Sequence, residues 1–172
     1  HYCRTLRVKV VSMGNKINPI GFRIGITKDW RAKWYADKSS EYKSLVTEDI
    51  KLREMALKLG PDAGVSSLDL ERDSSEVTIT IHTSRPGIVI GRSGQKVEEI
   101  RKEMQDISGK RVRINVQEIK QPELDAFLVA RSIADQLERR IAFRRAMKQT
   151  MARTMQSGAL GVKVIVSGRL GG

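Results

Sequence analysis

The stretch Val89-Ile90-Gly91-Arg92-Ser93-Gly94-Gln95-Lys96-Val97-Glu98-Glu99-Ile100 decides the fold. Two glycines bracket two polar residues, directly after an apolar run and directly before Val97, Ile100, Met104 and Ile107, which mark one face of a helix. Glycine permits a tight backbone and lets a ligand come close to the main chain. The free N–H groups of a helix start favour phosphate, and Arg92 and Lys96 add positive charge.

On its own, a GxxG spacing describes an ordinary glycine turn. With Val-Ile-Gly before it and an amphipathic helix after it, the segment reads as the GXXG loop of a KH domain, which clamps a nucleic-acid backbone. Gly91, Arg92, Ser93, Gly94 and Lys96 are therefore candidate RNA-binding residues. Other phosphate loops fail on spacing. Gly87, Gly91 and Gly94 do not form G-x-G-x-x-G, and Gln95 after Gly94 breaks any G-x-x-x-x-G-K-[ST] pattern.

Working outward, Leu45, Ile50, Leu52, Met55, Ala56 and Leu59 recur at helical spacing from Glu41 to Leu59, where Gly60-Pro61 stops the helix. Val65 to Glu71 reads as a strand. Val77, Ile79 and Ile81 alternate with polar residues in a second strand, and Asp73-Ser74-Ser75 between the two predicts a hairpin. Pro86-Gly87 opens a short apolar turn, and after the glycine loop and its helix Val112, Ile114 and Val116 form another strand. Gln121-Pro122-Glu123 opens one long helix to about Gln156, with Ala126, Ala130, Ile133, Leu137, Ile141, Met151 and Met155 as its buried stripe. Met147, Met151 and Met155, at helical spacing, read as core or interface. Val162, Val164 and Val166 predict a final strand. The fold class is α+β.

Composition restricts what this fold can do. The 172 residues carry 32 Lys plus Arg against 20 Asp plus Glu, a net charge of +12. Such an excess meets a polyanion or simply solvates the surface. Residues 41–84 reverse the balance, with five basic and nine acidic residues, before nine against five over residues 85–120. A solubility coat would show no such island, so particular elements carry the binding surface. The longest apolar run, Ala126–Ala130, is far short of a membrane span. One cysteine cannot form an internal disulfide, and with two histidines it cannot build a structural zinc site.

Two further basic groups stand out. Arg139, Arg140, Arg144, Arg145 and Lys148 crowd the second half of the long helix, and Arg140, Arg144 and Lys148 share a stripe at four-residue spacing. Such a stripe complements a helix C-terminus, lies solvated, or faces phosphate; beside a KH loop, phosphate is the better reading. Residues 14–40 form an arm with one turn of helix at Asn18-Pro19, and Lys16, Arg23, Lys28, Arg31 and Lys33 are its candidate RNA contacts. Trp30, Trp34 and Tyr35 in this arm either stack on bases or pack beneath it. No catalytic constellation emerges. His82 lies in a strand, and Ser93 has no evident histidine partner. No enzyme activity, cofactor or metal is expected.

These residues resemble the family of KH-containing ribosomal proteins of the small subunit, third in the bacterial-type series. The resemblance rests on Met13-Gly14-Asn15-Lys16-Ile17-Asn18-Pro19 with Gly21-Phe22-Arg23, on Ile81 to Gly91, on Gln136 to Arg140 with Phe143 to Lys148, and on Val166 to Gly172. It implies a type II KH domain over residues 41–120 and a C-terminal α/β domain from residue 121 to 172, after a basic arm over residues 13–40. It also implies residence on the head of the small subunit, with ribosomal RNA, messenger RNA and neighbouring head proteins as partners, and no membrane or small-molecule substrate. In the family, the positions matching Arg144, Arg145 and Lys148 line the path along which messenger enters. The family continues with strands beyond Gly172, which makes this a truncated C-terminal domain. Residues 1–12 read as a leader, an upstream extension or a cloning remnant. A cytoplasmic ribosome is the expected location, with an organellar one as alternative. A free-standing KH regulator or assembly factor is the competing function.

Overall fold

The computed structural model describes residues 17–58 and 63–170. The expectations for residues 1–12, Lys16, Leu59 and Gly60-Pro61 lie outside the described residues. The chain divides into two compact units, residues 1–30 and 31–172.

In the first unit, Asn18 caps a five-residue helix, α1 (Pro19–Arg23), as its side-chain oxygen accepts from Ile20 and Gly21 N–H at 2.9 and 3.2 Å. Proline at the first helical position needs no N–H partner there. The turn predicted at Asn18-Pro19 is therefore present. Arg23 C=O then accepts from the N–H groups of Ile26, Thr27 and Lys28, which closes a compact loop.

The second unit is built on a four-stranded sheet in the order β1 (Ala32–Lys33), β2 (Val65–Arg72), β3 (Glu76–Thr83), β4 (Arg111–Glu118). The β2–β3 hairpin is antiparallel, and Asp73 N–H donates to Glu76 C=O at 2.9 Å across its turn. β3 and β4 run parallel, so the chain between them must cross over. It does so through α3 (Pro86–Ile90), the glycine loop and α4 (Gln95–Ser108). Together with α2 (Ser39–Lys58) this gives the order helix, strand, strand, helix, helix, strand expected of a type II KH domain. Leu52 and Ala56 of α2, Leu70, Val77, Ile79 and Ile81 of the hairpin, and Ile100 and Met104 of α4 form its core.

Alternation places Leu68 and Leu70 inward, and Arg72 follows them. Its side chain is 3% exposed and is held by Asp49 and Glu48 of α2. Ile50, read as a core position, is 52% exposed, and its neighbour Asp49 is buried instead. The cause is the ion pair: α2 turns a carboxylate toward Arg72.

Beyond β4 two expectations are corrected. The single long helix is two, α5 (Ala126–Glu138) and α6 (Phe143–Gln156), and Pro122–Leu124 form a separate turn of 3-10 helix. Asp125, not Gln121, starts α5. Between the helices Arg140 takes φ 61°, a left-handed conformation that ends a right-handed helix. The break lets α5 and α6 pack on one another, and Ile133 of α5 and Ala146, Thr150 and Thr154 of α6 are their buried residues. The predicted stripe holds only in part: Ile133 is buried and Leu137 and Met151 are half-buried, whereas Ala126, Ala130, Ile141 and Met155 are exposed. The final strand is also absent. Val162, Val164 and Val166 are half-buried between exposed neighbours but have no ladder partner among the described residues. A strand without a partner leaves its backbone groups unpaired. No helix among the described residues is long and apolar enough to cross a membrane.

Candidate nucleic-acid interface

Pro86 opens α3, and Val89 anchors it with 1% exposure, while Ile88 and Ile90 stay 36% and 41% exposed beside the loop. The chain then reverses at Gly91, whose φ of 73° and ψ of −177° belong to a region open essentially to glycine alone. A Cβ here would lie 2.7 Å from Lys96 Cβ, so the glycine also lets the loop close on α4. Ser93 (φ 53°) and Gly94 (φ 79°) continue in left-handed conformations. Nothing lies within 4 Å of a Cβ built on Gly94, which leaves the backbone open on that side. Gly94 is the N-cap of α4, and no side chain caps the first turn.

An uncapped helix start presents N–H groups and the positive end of the macrodipole. Arg92 and Lys96 beside it are exposed and make no ion pair among the described residues. The loop thus combines open backbone, uncompensated cations and a short apolar shelf. That arrangement suits a sugar-phosphate strand with bases lying on Ile88 and Ile90.

The basic cluster is divided by the break. Arg144, Arg145 and Lys148 lie exposed on α6, with the Arg144 guanidinium 5.6 Å from the Phe143 ring centroid. Arg145 and Lys148 flank a shallow recess with Gln149 and Ala152. Arg140 sits in the elbow, so the expected stripe Arg140–Arg144–Lys148 does not exist as one helical face. Arg139 ends α5 and lines a separate cleft with Arg153. That cleft also takes in Arg85 and Arg131, neither of which the sequence pattern singled out.

The arm's cations are dispersed. The Arg23 side chain donates to Pro19 C=O at 2.9 Å, and Lys33 pairs with Glu71 at 3.4 Å. Arg31 C=O accepts from Leu70 N–H at 2.9 Å, which seats that stretch on the sheet. The choice left open for the aromatics resolves for Trp34. Trp34 packs: its indole N–H donates to Asp49 Oδ2 at 2.8 Å and its ring lies 5.6 Å from Tyr42. Trp30 and Tyr35 are 62% and 84% exposed. His82 Nε2 lies 2.9 Å from Asp69 Oδ2 across the hairpin. Among the described residues no group of three or more His, Cys, Asp or Glu could hold a metal ion.

Helix order, sheet order and glycine loop define a KH-domain protein, and the KH domain family matches residues 51–124. The family described as Ribosomal protein S3, C-terminal domain, matches residues 133–172. The chain is 56% identical over 160 residues to small ribosomal subunit protein uS3 of Dehalococcoides mccartyi, covering 93% of this chain and 57% of the relative. It is 54% identical to the proteins of that name from Brevibacillus brevis and Pediococcus pentosaceus, covering 72% and 71% of them. The chain belongs to the uS3 family. It spans little more than half the length of the Dehalococcoides relative.

Proposed function

We propose that this protein is a structural constituent of the small ribosomal subunit, seated on its head, where it binds ribosomal RNA and contacts messenger RNA as it enters. It is a binding protein, with no catalytic role. The observation that carries this reading is the presence of both family halves in one chain, at 54–56% identity to uS3 proteins over 93% of its length. The open loop at Gly91–Gly94 and the α6 cations support RNA as the ligand. The domain division at residues 40 and 120, the arm contacts and the messenger path at Arg144, Arg145 and Lys148 belong to the same proposal, as does a ribosomal location.

Binding to phosphate with cations releases counterions, so association with RNA falls steeply with salt. The test is sedimentation of the full-length protein in cell extract at moderate salt. Under this proposal it travels with small subunits. Migration as a free protein, with binding only to short single-stranded RNA, would favour a free-standing KH regulator.

A further inference from the structure

The second unit contains a cleft that neither the glycine loop nor the α6 ridge uses. It lies between the start of β2, the segment after β3 and the α5–α6 pair, with a volume of about 510 Å³. That is within the range of pockets that hold small organic ligands, roughly 300–1,000 Å³. We propose that this cleft binds one nucleotide unit, a base with its sugar and phosphate, either free or as part of an RNA strand.

Charge supplies the first argument. Arg85 after β3, Arg131 and Arg139 on α5 and its end, and Arg153 on α6 line the cleft, against two carboxylates, Glu123 and Asp135. Among the described residues only Arg131 of these four is paired, with Asp135 at 3.4 Å. Arg85, Arg139 and Arg153 make no ion pair among the described residues. Arginines that line one cleft without ion-pair partners suit a phosphate, whose oxygens accept paired hydrogen bonds.

The apolar wall supplies the second. Phe127 remains 49% exposed and Leu57 55% exposed although both line a concavity. Phe127 belongs to a fixed first turn, because Asp125 Oδ1 accepts from its N–H at 2.9 Å and from Leu128 N–H at 3.1 Å. The half-exposed ring carried on that turn offers a surface for stacking a base.

The acceptors supply the third. Thr150 and Thr154 are buried in the lining and donate their hydroxyl protons to helix carbonyls at 2.8 and 3.0 Å. Glu123, which also lines the cleft and makes no ion pair among the described residues, is left to accept. Ribose hydroxyls or an exocyclic amine can donate to such a group, whereas an inorganic anion gives it little.

The experiment titrates isotope-labelled full-length protein with adenosine monophosphate, a single-stranded RNA hexamer and inorganic phosphate, following the amide signals of Phe127 and Leu128. Saturable shifts with adenosine monophosphate are expected, with affinity reduced about tenfold or more in Arg139→Ala/Arg153→Ala as charge-assisted hydrogen bonds are lost. Phe127→Leu keeps an apolar side chain and removes the ring, and should also weaken binding. If circular dichroism shows the double variant unfolded, Phe127→Leu and Arg153→Lys decide. Shifts with the hexamer as well as the mononucleotide assign the site to an RNA strand; shifts with the mononucleotide alone assign it to a free ligand. Inorganic phosphate binding as tightly as the nucleotide, or no shift with either nucleotide probe, overturns the proposal. Phe127 and Leu128 line the cleft and the glycine loop does not, so reading their signals keeps this result separate from the fate of that loop.

Discussion

Ser66 Oγ donates to Asp125 Oδ2 at 2.6 Å, joining two residues 59 positions apart. Ser66 sits at the register shift between Val65 and Ser67, where β2 departs from regular pairing with β3. Bulges commonly re-aim a side chain, and here the re-aimed hydroxyl reaches the start of α5. Asp125 uses its other oxygen to cap that helix. One carboxylate thus ties the sheet to the helical pair.

Asp125→Ala removes both interactions. Loss of an N-cap costs about 0.5–2 kcal/mol, and a lost hydrogen bond about another 1 kcal/mol. Urea denaturation should show Asp125→Ala less stable than Ser66→Ala, with Asp125→Asn between wild type and Asp125→Ala because asparagine still caps. Equal stability of all three variants to wild type would remove this link.

A second tie lies at the far end of β2. Asp49 Oδ1 accepts from the Arg72 guanidinium at 2.5 and 2.9 Å, Asp49 Oδ2 from Trp34 Nε1, and Glu48 from Arg72 at 2.8 Å. Removing one partner of a buried ion pair strands the other and costs about 3–5 kcal/mol. Asp49→Ala should therefore destabilise the KH domain by that order, as read by chemical denaturation. The double variant Asp49→Leu/Arg72→Met should recover part of the loss, since the charge left without its partner is that of Glu48, whose side chain is 30% exposed, while the Trp34 N–H loses its acceptor.

At the loop, Gly91→Ala and Gly94→Ala should differ. Gly91 combines a glycine-only backbone with a Cβ position 2.7 Å from Lys96, whereas Gly94 has only its positive φ and open space. Strain of about 1–3 kcal/mol is expected at Gly91. Anisotropy with a labelled single-stranded RNA should show Gly91→Ala weakening binding more than Gly94→Ala.

The α6 cations should appear in salt dependence. Each phosphate contact on a single strand contributes about 0.7 to the slope of log K against log salt. Arg144→Ala/Arg145→Ala/Lys148→Ala should lower the slope by up to about 2 while leaving the circular dichroism spectrum unchanged. An unchanged slope would mean that these residues do not touch RNA.

The KH unit was legible because its elements are short and each ends in its own punctuation. Gly109 closes α4, Asp73-Ser74-Ser75 turns the hairpin, and period-two alternation marks β3. The same alternation, carried one step beyond Leu70, points Arg72 inward, but its charge hides that signal. The helix break was illegible because no glycine or proline marks it: the left-handed residue is Arg140, an exposed arginine whose N–H donates to Leu137 C=O. Val162–Val166 read as a strand because alternation is local, while pairing depends on a neighbour that a period cannot supply. The cleft arginines were scattered from residue 85 to residue 153, so only folding brings them to one place.

The most direct test of the RNA grip is ultraviolet crosslinking of the full-length protein within assembled small subunits, with modified peptides read by mass spectrometry. Adducts are predicted on the peptide holding Gly91 to Lys96 and on the peptides holding Arg144 to Lys148. Adducts found only elsewhere, for example on the outer sheet face around His82 and Arg113, would contradict it.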